Sequence, residues 1–226
     1  MSMTKYKNVP APARVPAHWK TWMSIVLLVV SGLAFSGCLS RAPLNKETFA
    51  FGAPMPNSSS QTHSGRVLGI KPIRIDSPFN GREIIYRTGE FSYERNEYAE
   101  FLGTPAEQLV GLASGILATN GYFSAVVRAG STARPDTVME INVSQLYGDI
   151  QKPGSPSAVV ALQVVMMNAT NGMTDAVVFR GNYSRRIPMK STAPAALMEG
   201  WNEAFVEILP EVTADFQAQE NLSNKP

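Results

Sequence analysis

The run TVMEINVSQLY at Thr137–Tyr147, followed after a Gly/Pro/Ser-rich gap by AVVALQVVMM at Ala158–Met167, decides the class of this fold. In the first run Met139, Ile141 and Val143 alternate with Glu140, Asn142 and Ser144. That period of two puts one face of a strand on a core and the other in water. In the second run only Gln163 interrupts the apolar residues, which predicts an inner strand covered on both faces. Asn171-Gly172 then turns the chain into a third strand candidate, Ala176–Ser184.

Upstream, Thr104-Pro105-Ala106-Glu107 combines a Thr-x-x-Glu capping box with proline at the first helical position. Leu109, Leu112, Ala113, Ile116 and Leu117 recur at helical spacing behind it, and Asn120-Gly121 closes the helix. Before this helix, Arg66–Asp76 reads as a strand with an edge or bulge at Pro72, and Pro78-Phe79-Asn80-Gly81 reads as a turn. Glu83–Arg87 and Glu90–Arg95 read as a strand pair joined at Thr88-Gly89, and Tyr122–Val127 as a strand after the helix. A long C-terminal helix starts near Ser191/Thr192, with Leu197, Trp201, Ala204, Phe205 and Ile208 on one face. Glu199, Glu203, Glu207 and Glu211 step along its other face, and Pro210 predicts a kink or restart before Val212 and Phe216. The expected architecture is one α+β domain over residues 65–217 in βββαβ-βββα order. Its mixed or antiparallel sheet would be packed by two main helices, with a polar tail at 218–226.

The chain of 226 residues is 44% apolar, which suits one globular domain plus extensions. A formal charge of +2 gives no case for nucleic acid, and one cysteine excludes an internal disulfide, a multi-cysteine zinc site and a CxxC pair. That cysteine has a telling position. Residues 1–20 carry Lys5, Lys7, Arg14 and Lys20 and no acid; an apolar run from Trp22 to Ala34 follows, then Phe35-Ser36-Gly37-Cys38. This is the layout of a secretory signal peptide, and the apolar run is short of the roughly 20 residues a permanent span needs. Ser36-Gly37-Cys38 resembles a bacterial lipobox, which implies a signal peptide at 1–37 and an acylated Cys38 as the first mature residue. Removing residues 1–37, which hold four of the 20 basic residues and no acidic one, leaves 189 residues with formal charge −2. Pro43, Pro54, Pro56 and the Ser58–Ser60 run then predict a flexible tether from Cys38 to residue 64.

Catalytic groups are sparse. After Cys38 the one histidine is His63, in the expected tether, and no nucleophile elbow or phosphate-binding glycine motif appears. No metal or cofactor is expected. Glu90, Glu94, Glu97 and Glu100 could form a carboxylate site or a solvated edge, and the Glu199–Glu211 stripe an outer helix face or a strip for a basic partner. Met166-Met167 could pack the core or line a soft groove. Tyr86, Phe91, Tyr93, Tyr98 and Phe101 crowd five aromatics into sixteen residues, more than a short strand pair can hide.

The segments Leu68–Ile73, Ile84–Arg87, Tyr93–Leu102 and Gly121-Tyr122-Phe123 resemble the ABC-type transport auxiliary lipoproteins, the PqiC-like group. Tyr98 stands where many members carry Trp. The resemblance implies a non-catalytic envelope component held by Cys38 at the periplasmic face of the outer membrane. Leu39 after the cysteine agrees with that sorting in enteric-type bacteria. It implies as partners an MCE-domain protein with a permease and an ATPase, together moving phospholipids or other hydrophobic molecules between membranes. If those partners form rings, a homo-oligomer would match them. Tyr86, Arg87, Tyr93, Tyr98 and Phe101 are the expected docking residues. An envelope scaffold unconnected with transport is the alternative.

Overall fold

A computed structural model describes residues 46–52, 64–170 and 173–223. Cys38, His63 and the signal segment lie outside them. The strands are β1 (Glu47–Phe49), β2 (Val67–Ile70), β3 (Arg74–Ile75), β4 (Glu83–Arg87), β5 (Tyr93–Phe101), β6 (Ala125–Arg128), β7 (Thr137–Asp149), β8 (Ser157–Thr170) and β9 (Met173–Pro188). The helices are α1 (Pro105–Thr119) and α2 (Pro194–Ser223).

β7 is the spine of one mixed sheet. Along one edge it pairs antiparallel with β8, which pairs in turn with β9. Along its other edge β2, β3 and β4 follow one another, all parallel to it. The expected strand at Arg66–Asp76 is thus β2 and β3, interrupted where Pro72 has no N–H to give. β6 extends the sheet beyond β2, and β5 with β1 extends it beyond β4. With β2 and β3 read as one interrupted strand, the α+β order holds and β1 is added.

The alternation in β7 survives a change of parity. A bulge between Val143 and Gln145 leaves Ser144 outside the ladder, so Leu146 joins Met139, Ile141 and Val143 in the core. Tyr147 then points to the opposite face, against Phe79 at 5.6 Å and Tyr93 at 5.6 Å between ring centres. β8 is central, as expected, but only one of its faces is fully covered. Ala158, Val160, Leu162, Val164 and Met166 are buried under α2, whereas Ala161, Gln163, Val165 and Met167 are half-buried.

Thr104 caps α1 by accepting the Glu107 N–H at 3.4 Å, and Gly121, at φ 78°, ends it in the left-handed region. The following residues depart from expectation: Tyr122 and Phe123 turn inward against Phe216 of α2, and β6 starts only at Ala125. α2 runs unbroken through Pro210 to Ser223, so the helix neither restarts there nor gives way to a tail at 218. Buried Val212 and Phe216 hold the second half down, and Arg185 of β9 bonds Glu207 and Glu211. Among the described residues no helix is long and apolar enough to cross a membrane.

The helix approaches the sheet closely through small residues. A Cβ on Gly200 would stand 2.6 Å from that of Ala158. Helix propensity alone would make Gly200→Ala favourable by about 1 kcal/mol. The contact should reverse the sign, giving a loss of about 1–3 kcal/mol as α2 is pushed off β8. A urea midpoint above that of the parent would refute this.

Within the expected tether, Glu47–Phe49 forms a parallel strand on β5, and Phe51 is buried against Phe101, Trp201 and Phe205. Residues 46–52 are therefore part of the folded domain. Three residues are too few to show a strand pattern, and what holds them is contact with residues fifty or more positions away.

Candidate docking surface

The β4–β5 hairpin carries the expected docking residues, and the structure divides them. Tyr86 and Phe101 are core residues, 6% and 1% exposed, and so cannot meet a partner. The Tyr86 ring lies over Gly148 of β7, where any Cβ would come within 2.8 Å of it. Its hydroxyl donates to the Thr192 carbonyl at 3.0 Å, tying the hairpin to the segment that leads into α2. Burial pushes this phenol up from 10.0 to about 12. Phe101 stacks on Trp201 at 5.7 Å and on Phe51 at 5.6 Å. Its neighbour in the core, Trp201, donates its indole N–H to the Val159 carbonyl.

Arg87 shapes the surface without leading it. Its guanidinium donates to the Gly89 carbonyl at 3.2 Å and the Glu90 carbonyl at 2.7 Å, closing the 88–92 loop, which replaces the shorter Thr88-Gly89 link expected. Phe91, at the tip of that loop, is 88% exposed.

Tyr93 and Tyr98 are the expected docking residues that remain on the surface, 44% and 62% exposed. Tyr93 rests one edge on Phe79 and Tyr147, so a rigid aromatic base supports it. Tyr98 is held outward by a distortion of β5. Glu83 faces Glu100 and Ile85 faces Arg95, so two steps on β4 oppose five on β5, and the surplus loops outward. The Asn96 side-chain oxygen accepts the Tyr98 N–H at 2.8 Å, a local turn that fixes the bulge. β1 covers the β5 edge only from Ala99 onward, so Tyr98 stands where the covered edge ends.

The carboxylates of this region do not converge. Glu100 accepts from Lys46 at 3.2 Å and Arg82 at 2.6 Å, pinning the start of β1, while Glu90, Glu94 and Glu97 are exposed. Among the described residues no group of three or more His, Cys, Asp or Glu is gathered as for a metal ion. On α2, Glu207 and Glu211 are taken by Arg185, while Glu199 and Glu203, both exposed, lie outside that tie. Met166 is fully buried, which removes it from any groove. Asp149, beside the hairpin, feels burial that would raise its pKa. The Arg186 guanidinium at 2.8 Å and the Gln151 N–H outweigh that and hold its carboxyl below the usual range.

No curated protein matches the chain by sequence. Among solved structures, protein XCC0632 from Xanthomonas campestris shares the fold with a TM-score of 0.63 at 18% identity, covering 78% of this chain and 99% of that one. An uncharacterised protein follows at TM-score 0.57 and 11% identity, covering 75% and 99%. The PelC dodecamer from Paraburkholderia phytofirmans is more distant, at TM-score 0.42 and 15% identity, covering 69% and 95%. A family model spans residues 49–212, from the last residue of β1 well into α2, and so takes in β2 to β9 and α1. On that match the chain belongs to the family of ABC-type transport auxiliary lipoprotein components.

Proposed function

We propose that this auxiliary lipoprotein is a non-catalytic component of an MCE-type intermembrane lipid transporter, anchored through acylated Cys38 to the periplasmic face of the outer membrane. Its partner is the MCE-domain protein, which works with a permease and an ATPase. Docking uses Tyr98 and Tyr93, on the hairpin that Arg87 closes. The observation that carries the reading is Tyr98, a large aromatic held out by a fixed bulge where strand coverage ends. Rigid tyrosines of this kind supply contact area at small entropic cost and are enriched among residues that dominate interfaces.

Tyr98→Ser should weaken capture of the MCE-domain protein by about 2 kcal/mol, roughly thirtyfold in affinity, if Tyr98 is central to the contact. Unchanged pull-down would remove Tyr98 from the interface. Capture of peptidoglycan or assembly machinery in place of an MCE protein would favour a scaffold. For the anchor, Cys38→Ser should abolish acylation and release the protein from the membrane fraction. A Cys38→Ser protein that still carries acyl chains would show that the lipid sits elsewhere.

A further inference from the structure

Pairing of β1 shortens the leash between the expected acyl anchor and the folded domain. From Cys38 to Lys46, where the described fold begins, is eight residues, which span at most about 28 Å. A free link from Cys38 to Ser64 would reach about 90 Å, so β1 cuts the reach about threefold.

The topology also sets the end of the sheet from which the leash departs. β1 is parallel to β5, β5 antiparallel to β4, and β4 parallel to β7. The chain therefore leaves β1 toward Cys38 at the end of the sheet where β4 and β7 finish. β9 finishes there too, because it runs antiparallel to β8, as β7 does. Three segments meet at this end: the 88–92 loop, the 150–156 loop and the residues after Pro188. The Ile150 N–H donates to the Arg87 carbonyl at 3.0 Å and the Met189 N–H to the Pro156 carbonyl at 2.9 Å, keeping them side by side.

Their surface chemistry is distinctive. Phe91 projects at 88% exposure, and Lys152 and Lys190 are exposed at the same end of the sheet. Counting the strand ends that feed these segments, Arg87, Lys152, Arg186 and Lys190 face Glu90 and Asp149, an excess of positive charge in a mature chain whose formal charge is negative. An aromatic tip among cations suits the headgroup level of an anionic bilayer, where rings sit at the boundary and lysines reach phosphates.

Thr48 stands level with Glu83 through Glu100, so Lys46 lies about two residues, or about 7 Å, short of the strand end at Arg87, and a stretched leash ends about 21 Å beyond it. We propose that this end of the sheet rests on the bilayer that holds Cys38, with Phe91 seated among the headgroups of a phospholipid surface containing anionic lipid. The inference rests on the reading of Cys38 as the anchor. It leaves Tyr98, on the flank of the hairpin, free for a protein partner.

The test uses tryptophan as a depth reporter in the mature, acylated protein. Trp19 and Trp22 precede Cys38 and are lost with the signal peptide, and Trp201 is buried, so the background is low. Phe91→Trp and, at the opposite end of β7, Ala133→Trp would each be placed in vesicles of phosphatidylethanolamine and phosphatidylglycerol carrying a spin label at headgroup depth. Emission from position 91 should be largely lost, while position 133 should add no loss to that of the parent. Adding Lys152→Glu and Lys190→Glu should restore emission at position 91. Equal loss at both positions, or none at either, with Cys38 shown by mass to be acylated, would overturn the membrane seat and leave the anchor standing. An unmodified Cys38 would overturn both.

Discussion

Phe101→Ala should destabilise the domain by about 3–5 kcal/mol, whereas Tyr98→Ser, three residues earlier on the same strand, should change stability by less than about 0.5 kcal/mol. Phe101 is 1% exposed and stacked between Phe51 and Trp201, so truncation leaves a cavity that neither rigid ring can fill. It also undercuts β1, since Phe51 loses its stacking partner. The predicted loss is a large part of the 5–15 kcal/mol that holds a typical domain together, so Phe101→Ala should reach the envelope at reduced level. Among the described residues Tyr98 pairs with no other aromatic ring, and it is 62% exposed. Urea unfolding of the two variants, followed through Trp201, checks the contrast. Loss of partner capture by Phe101→Ala would report unfolding, whereas the same loss in a fully stable Tyr98→Ser would report the interface. Comparable destabilisation by the two would mean that Tyr98 is a packing residue.

That contrast also shows what could be read from the residues. The α1 boundaries were readable because capping and closing are local: Thr104, Pro105, Glu107 and Gly121 act on backbone within one turn of themselves. The β7–β8 ladder was readable from its apolar patterning, whereas Asn171-Gly172, the turn expected between β8 and β9, lies outside the described residues. The destination of each aromatic was not. Tyr86 and Tyr98 have the same side chain on adjoining strands, and they differ because Thr192 and Gly148 receive one while a bulge expels the other. Those causes lie across the fold, or in a register shift whose only local signal is the short side chain of Asn96. β1 was invisible for a related reason. Its three residues have no periodicity of their own, and Phe51, which fastens them, has its partners on β5 and α2. Of the kink or restart expected at Pro210, the restart erred the other way: its local signal was clear, and buried residues on either side of it kept the helix continuous.

The same buried phenols predict a steep loss of stability in alkali. Tyr86 and Tyr122 are raised from 10.0 to about 12, Tyr86 by burial, Tyr122 by burial and by its hydrogen bond to the Glu220 carboxylate. Tyr183 is raised as well, by burial and by donation to Asp215 at 2.9 Å. In the unfolded chain each phenol ionises near its ordinary value. The folded state therefore gains its full preference below about pH 10 and loses it as pH rises through about 12. Holding a phenol such as Tyr86 neutral over that interval corresponds to about 2–3 kcal/mol. The urea midpoint should thus fall sharply between pH 10 and 12, with tyrosinate absorbance rising in step. Tyr86→Phe supplies the decisive comparison. At pH 8 it should cost about 1 kcal/mol, because the Thr192 carbonyl loses its donor. Near pH 12 the parent must either ionise a buried phenol or unfold, and the phenylalanine variant faces no such choice. The two stability curves should therefore converge or cross in that interval. Parallel curves from pH 8 to 12 would show that the Tyr86 hydroxyl is solvated, and with it that the tie between the hairpin and the start of α2 is open.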